Sequence, residues 1–379
     1  MVTNTTTIGG ALVGTWQTIA EKPKWSFAKI DIAIESGIIQ ELSTDSLPKG
    51  DYHIDAMNCL VLPPFSNAHT HGFEFAFKGF KNDRAIDEPH PEWFWKIYNN
   101  VPIELLELGA EVHFAECVMA GIGYVGEVLR HDLPGGEIKR ILDGSGLRGC
   151  VFGGGGECDG FDLGSEIHRT FATRLKEAEP HSRIHMHVLE NDYRRAHLDR
   201  VYNKPIFDIL HGAGLDRKKA ILTHCGTARV DDLSGFDPED TLIVTTPVAE
   251  TVLGEPGINL KLLEALSLRS AFGSDGPCYN PSLDMFQEMR TAVVRAKRDG
   301  YRLSLDNVLR DALLTFPKWL GEPQPQIEMG APANLQIVSL RRLAFRPLIR
   351  FPYDNLLHNI IFAAHATDIC ALMMKGDML

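Results

Sequence analysis

The sequence is short of positive charge: 38 lysines and arginines stand against 50 aspartates and glutamates, a formal net charge of −12. Neutralising a phosphate backbone needs clustered cations in excess, so a nucleic-acid surface is not expected. Short basic runs such as Arg217-Lys218-Lys219 read as solvated helix faces. Paired cysteines are lacking too. Seven cysteines at irregular spacing, without a CxxC pair, suit free thiols in a reducing compartment better than a disulfide framework. No apolar stretch reaches the roughly 18 residues of a membrane span. Met1 to Gly10 has no charged start, apolar centre or small-residue cleavage site of a signal peptide. No internal repeat and no low-complexity tract stands out. The expectation is a cytoplasmic protein whose partner is a small molecule, with neither nucleic acid nor membrane involved.

What is present is the material of a folded enzyme-sized chain. Its 379 residues, 44% hydrophobic and 23% charged, can bury a large core. The first sixty residues read as short strands and turns: Lys29 to Ile34 alternates, Gly37 breaks, Ile38 to Leu42 resumes, and Pro48-Lys49-Gly50 turns again. From Cys59 the character changes to apolar strand-like runs at 59–65, 121–128, 147–153, 184–189, 220–224, 241–246 and 270–274. Helical patterns lie between most of them, clearest over Ile103 to Ala120 and Ile167 to Ala178. Strand, helix, strand in repetition predicts a parallel sheet covered by helices, and at this length a TIM-like (β/α) barrel. After Pro325 strands return, at 334–339 and 369–374. The expected domains are a barrel over 59–325 and a small β-sandwich built from residues 1–58 and 326–379.

Four strand ends carry residue types that bind metals. Asn67-Ala68-His69-Thr70-His71-Gly72 follows an apolar run. On an extended strand, residues two apart point the same way, so His69 and His71 can offer two imidazoles to one ion. Two polar residues at a strand end would be the plain alternative. Ile184-His185-Met186-His187-Val188-Leu189-Glu190 is a second strand of this kind. Catalytic groups in a parallel barrel gather at the carboxyl ends of strands. His187 is therefore preferred as ligand, with His185 behind it, and Glu190 can serve as an acid or base or be a solvated loop residue. The strand at 220–224 delivers His224, and Ser270-Ala271-Phe272-Gly273-Ser274-Asp275 delivers Asp275. Taken alone, His224 reads equally as a core histidine and Asp275 as the cap of a turn. Four such strand ends together point to a site.

With these residues in view, the sequence resembles the deaminase and chlorohydrolase branch of the amidohydrolase superfamily. That resemblance rests on His69 and His71, His187 with Glu190, His224-Cys225, and Gly273-Ser274-Asp275 in matching order. Thr246 to Glu255 and the Trp93-Phe94-Trp95 cluster are similar to segments of formimidoylglutamate deiminases. Departures are visible. Glu74 and Phe75 stand where those deiminases have glutamine and arginine. Only about thirty residues separate Gly153 from Ile184, which predicts a fourth βα unit that is shortened or missing.

The resemblance implies one divalent ion, zinc ahead of ferrous iron with both open, held by His69, His71, His187 and Asp275. It implies attack of a metal-bound hydroxide on an sp² carbon bearing nitrogen. Asp275, Glu190 and His224 would be catalytic, and Glu74, Trp95 and Glu250 would line the substrate pocket. The expected reaction is deamination of a small amidine or aminated heterocycle. Opening of a cyclic amide or loss of chloride from an aromatic ring are the rivals within the fold, and a catalytically idle scaffold or binding protein is the rival outside it. Relatives of this kind are homodimers or larger, which is the oligomeric expectation.

Overall fold

In the computed structural model the described residues are 5–19, 22–79, 96–131, 133–155, 157–322, 325–350 and 354–379. Two compact units are formed, one from 1–66, 115–124 and 284–379 and the other from 67–114 and 125–283.

Eight strands form one sheet in sequence order: Phe65–Thr70, Ile122–Val128, Arg148–Gly153, Gly160–Ser165, Arg183–Val188, Lys219–His224, Thr241–Thr245 and Arg269–Phe272. The registers of the fourth to eighth strands are parallel throughout. Strands covered on both faces need apolar residues at every position rather than alternation. That is why Ile122–Val128 and Thr241–Thr245 are buried end to end. The last strand returns to the first through a parallel bridge between Thr70 and Asp275, with the Asp275 N–H donating to the His69 carbonyl at 3.1 Å. The result is the TIM-like barrel expected from the strand–helix alternation. Helices Ile103–Met119 and Phe171–Glu177 fall within the two segments that periodicity singles out.

The fourth strand is not missing. Gly160–Ser165 pairs with the third through Phe152↔Gly160 and Gly153↔Phe161 alone. Among the described residues of the connection, 154–155 and 157–159, none is helical. A parallel crossover ordinarily takes a dozen or more residues because the chain must travel back the full strand length. Here the fourth strand begins at the level where the third ends, so there is almost no distance to retrace. The strand hid in the sequence because Gly-Phe-Asp-Leu-Gly-Ser carries glycine at two of six positions. Gly160 is required by close approach: a Cβ there would lie 2.6 Å from the Phe152 ring.

The terminal segments make two sheets. One has the order Ile38–Ser43, Asp31–Glu35, Thr5–Gly9, Tyr52–Asp55; the other Asp377–Met378, Ile369–Met374, Leu335–Ser339, Cys59–Leu62, Leu12–Ile19, Lys22–Lys29. Both contribute to one buried core that includes Ile8, Ile32, Ile34, Val61, Ile337 and Met373. The apolar run at 59–65 is divided by Pro63-Pro64. Prolines have no N–H for a ladder, and the chain passes there from the terminal sheet, where Val61 pairs with Ile337, to the first barrel strand at Phe65.

Candidate metal centre

The first, fifth, sixth and eighth strands end on one side of the barrel, and their last residues converge. His69 Nε2 lies 3.7 Å and His71 Nε2 3.6 Å from Asp275 Oδ1. His71 Nε2 and His187 Nε2 are 3.3 Å apart. Donors each about 2.0–2.1 Å from a tetrahedral zinc ion lie roughly 3.3–3.4 Å from one another. These separations are close to those between ligands of one ion. At 3.6–3.7 Å the contacts to Asp275 are too long for hydrogen bonds. His69 Nε2 is buried and has no hydrogen-bond partner, the condition of a lone pair reserved for an ion. Among the described residues three groups are able to hold a metal: His69, His71 and Asp275; His69, His187 and His224; and Asp162, His185 and His187. The donor set fits a divalent ion with nitrogen and oxygen ligands.

Neighbouring groups orient the rings. His71 Nδ1–H donates to the Val128 carbonyl at 2.8 Å, which turns Nε2 toward the centre. His69 Nδ1 lies 3.0 Å from His185 Nε2, and His185 Nδ1 lies 2.8 Å from Asp162 Oδ1. His185 is thus behind the ligand cluster, while His187 is in it. The Thr70 hydroxyl donates to the Asp275 carbonyl at 3.1 Å and contacts His113 Nε2 at 3.0 Å.

His224 faces carboxylates on three sides. Its Nε2 is 3.8 Å from Glu190 Oε1 and 3.9 Å from Asp275 Oδ2, and its Nδ1 is 3.7 Å from Glu250 Oε1. The Thr246 hydroxyl lies 3.3 Å from the same Nδ1. Glu190 Oε2 is bound by Arg194 at 2.9 Å, leaving Oε1 as the oxygen toward His224.

Burial and charge pull the groups in opposite directions. Burial and the surrounding groups hold His69 and His187 well below the usual histidine range, so both are neutral as ligands must be. His224 is also desolvated, but Glu190, Glu250 and Asp275 outweigh burial and raise it to about 9. Against its own burial, Asp275 is held well below the ordinary carboxylate range by His69, His224 and His71. Burial pushes Glu74 up.

The pocket residues expected from sequence have separate fates. Glu74 Oε1 accepts from the Tyr98 hydroxyl at 3.2 Å, and its Oε2 is buried without a partner. Glu250 lies behind His224, 1% exposed, accepting from the Thr246 N–H at 3.0 Å and the Thr245 hydroxyl at 3.1 Å. Trp95, like Trp93, lies outside the described residues. Arg194 and Arg195 are buried: the first on Glu190, the second on Asp232. Sequence reading missed Asp162, Glu127 and His113. Glu127 had a signal, being a lone charge inside the otherwise apolar run 121–128; it accepts from the Gly72 N–H at 3.0 Å.

A parallel barrel with histidines and an ionised aspartate converging at its carboxyl-terminal mouth is the arrangement of a metal-dependent hydrolase. No family model matches the chain. A 5-methylthioadenosine/S-adenosylhomocysteine deaminase of Pyrococcus abyssi is 23% identical over 94% of this chain and 90% of that protein. The fold matches a guanine deaminase from C. acetobutylicum solved with bound guanine, at TM-score 0.78 and 15% identity, covering 99% of this chain and 100% of that one. It matches atrazine chlorohydrolase from Arthrobacter aurescens TC1 complexed with zinc equally well, at TM-score 0.78 and 16% identity over 99% and 95%. The chain is thus similar in sequence to deaminases and in fold to deaminases and chlorohydrolases.

Proposed function

We propose that the protein is a deaminase that removes an amino group from a ring or amidine carbon of an aminated heterocycle, with a single zinc ion held by His69, His71, His187 and Asp275. The observation that carries this is the pairing of the ligand cluster with a buried carboxylate, Glu190, whose Oε1 stands 3.8 Å from His224 Nε2. A bound zinc would supply electrophilic polarisation and a water molecule acidified to a pKa of roughly 7. Asp275 Oδ2 accepts a proton from the attacking water. Glu190 Oε1 takes the water's other proton and delivers it to the adjacent ring nitrogen as the C–O bond forms. His224 Nε2, held between Glu190 and Asp275, stabilises the charge that develops on the attacking oxygen. The departing amine takes the proton held by Asp275 and leaves as ammonia. The likeness to deaminases of adenosine-type and guanine substrates supports a purine-like heterocycle as the substrate class.

Ammonia release from a panel of aminopurines, purine nucleosides and amidines, with metal content measured on the same preparation, tests this. About one zinc per chain and turnover of at least one aminated ring are expected. Chloride release from chlorinated triazines without deamination would favour the chlorohydrolase reading, which the similarity to atrazine chlorohydrolase supports. Two further elements belong to the proposal. The seven free cysteines support a reducing, cytoplasmic compartment. Exposed Leu105, Leu108, Val112 and Met119 along one helix support a homo-oligomer.

A further inference from the structure

Behind the ligand cluster two buried groups that the reaction does not use directly form a line that ends on His69. Asp162 on the fourth strand, His185 on the fifth and His69 on the first are 4%, 0% and 0% exposed. Asp162 Oδ1 lies 2.8 Å from His185 Nδ1, and His185 Nε2 lies 3.0 Å from His69 Nδ1. Each contact dictates the next. An ionised carboxylate only accepts, and Asp162 Oδ1 already takes the Gly164 N–H at 3.1 Å, so the proton between Asp162 and His185 sits on His185 Nδ1. A neutral imidazole protonated at Nδ1 has a bare Nε2, which can only accept from His69 Nδ1–H. His69, protonated at Nδ1, then has a bare Nε2. That is the buried atom with no hydrogen-bond partner, 3.7 Å from Asp275 Oδ1.

Two details support this direction. The His69 and His185 rings are within 7° of parallel with centroids 5.0 Å apart, an arrangement in which an N···N contact of 3.0 Å runs edge to edge. The Thr223 hydroxyl, 3.0 Å from the same His185 Nε2, can donate to it and favours the bare form. The other candidate ligand on the first strand is fixed in another way, through a backbone carbonyl on His71 Nδ1.

We propose that Asp162 is a positioning residue: through His185 it locks His69 in the Nδ1–H tautomer, so that His69 presents Nε2 to the metal. The proposal rests on the metal-centre reading above. Groups that bond the far nitrogen of a ligating histidine set its tautomer and raise its basicity, and their loss costs about 10–100-fold in metal affinity. The staggered fourth strand is what makes the line possible. Its register with the fifth places Asp162 beside His185.

The test combines zinc competition titrations with nitrogen-15 histidine NMR of the zinc-loaded protein. Asp162→Asn is expected to bind one zinc per chain about 10–100-fold more weakly than the wild type, with the thermal midpoint of the metal-free protein unchanged. In the wild type, His185 and His69 are expected to carry their protons on Nδ1, and this arm stands even if the variant fails to fold. Overturning results are His185 protonated at Nε2, or zinc affinity in Asp162→Asn equal to wild type. A wild type that saturates with two zinc ions while Asp162→Asn takes one would also overturn it, since Asp162 would then be a ligand. Wild-type protein that takes up no zinc overturns the metal-centre reading as well; wild-type binding with an unaffected variant overturns only the relay.

Discussion

His224 and Asp275 approach to 3.9 Å between Nε2 and Oδ2, and both stand on left-handed backbone, at φ +70° and +63°. Non-glycine residues in that region cost on the order of 1–3 kcal/mol each and persist where the surroundings over-determine them. Here the Asp275 N–H is bonded to the His69 carbonyl and the Gly276 N–H to Asp275 Oδ1 at 2.7 Å. The strain aims two side chains at one point.

Asp275→Asn keeps a residue that tolerates left-handed backbone but removes the proton acceptor. Turnover is expected to fall by about 10²–10⁴-fold with the circular dichroism spectrum unchanged. Full turnover with normal metal content would contradict the role given to Asp275.

Arg194→Met leaves Glu190 buried without its cation. Breaking a buried pair from one side costs about 3–5 kcal/mol, so the denaturation midpoint should drop sharply, and kcat should fall because Glu190 Oε2 is no longer anchored. An unchanged kcat in a well-folded variant would show that Glu190 is positioned by something else.

Burial raises Glu127 from 4.5 to about 8. A raised carboxyl stabilises the folded state fully below its unfolded value, and that contribution is lost as pH climbs from about 4.5 through 8. Glu127→Gln imitates the protonated form at all pH values. Denaturant titrations of the metal-free protein at pH 5 and pH 8.5 should therefore show a smaller loss of stability in the variant than in the wild type.

Gly226→Ala places a Cβ 2.1 Å from the Pro256 carbonyl oxygen and 2.6 Å from that of Glu190. Backbone must yield, at roughly 1–3 kcal/mol, and one of the two segments that meet the new Cβ carries Glu190. A lowered thermal midpoint with a disproportionate fall in kcat is expected; equal kcat would mean that the loop moves away from the site.

Removal of the metal with a chelator should abolish turnover and lower the thermal midpoint, with zinc restoring both, because an ion held only by the folded state stabilises it by mass action. Insensitivity of activity to chelation and dialysis would count against a metal-dependent reaction.

The barrel and most of the converging residues were legible because they depend on local order. An apolar run that ends in histidine or aspartate already says strand, burial and a polar tip, and four segments of that form named His69, His71, His187, Glu190, His224 and Asp275. The sequence by itself determined these residue types and the ends they occupy. It did not carry the fourth strand, whose glycines suppress strand propensity, nor the depth of Arg194, whose helical spacing fits a solvated face as well as a buried ion pair. Only the tertiary structure decided that Asp162 meets His185 and that His185 meets His69. Those contacts join strands far apart in the chain, and hydrogen-bond direction follows from three-dimensional neighbours rather than from spacing along the chain.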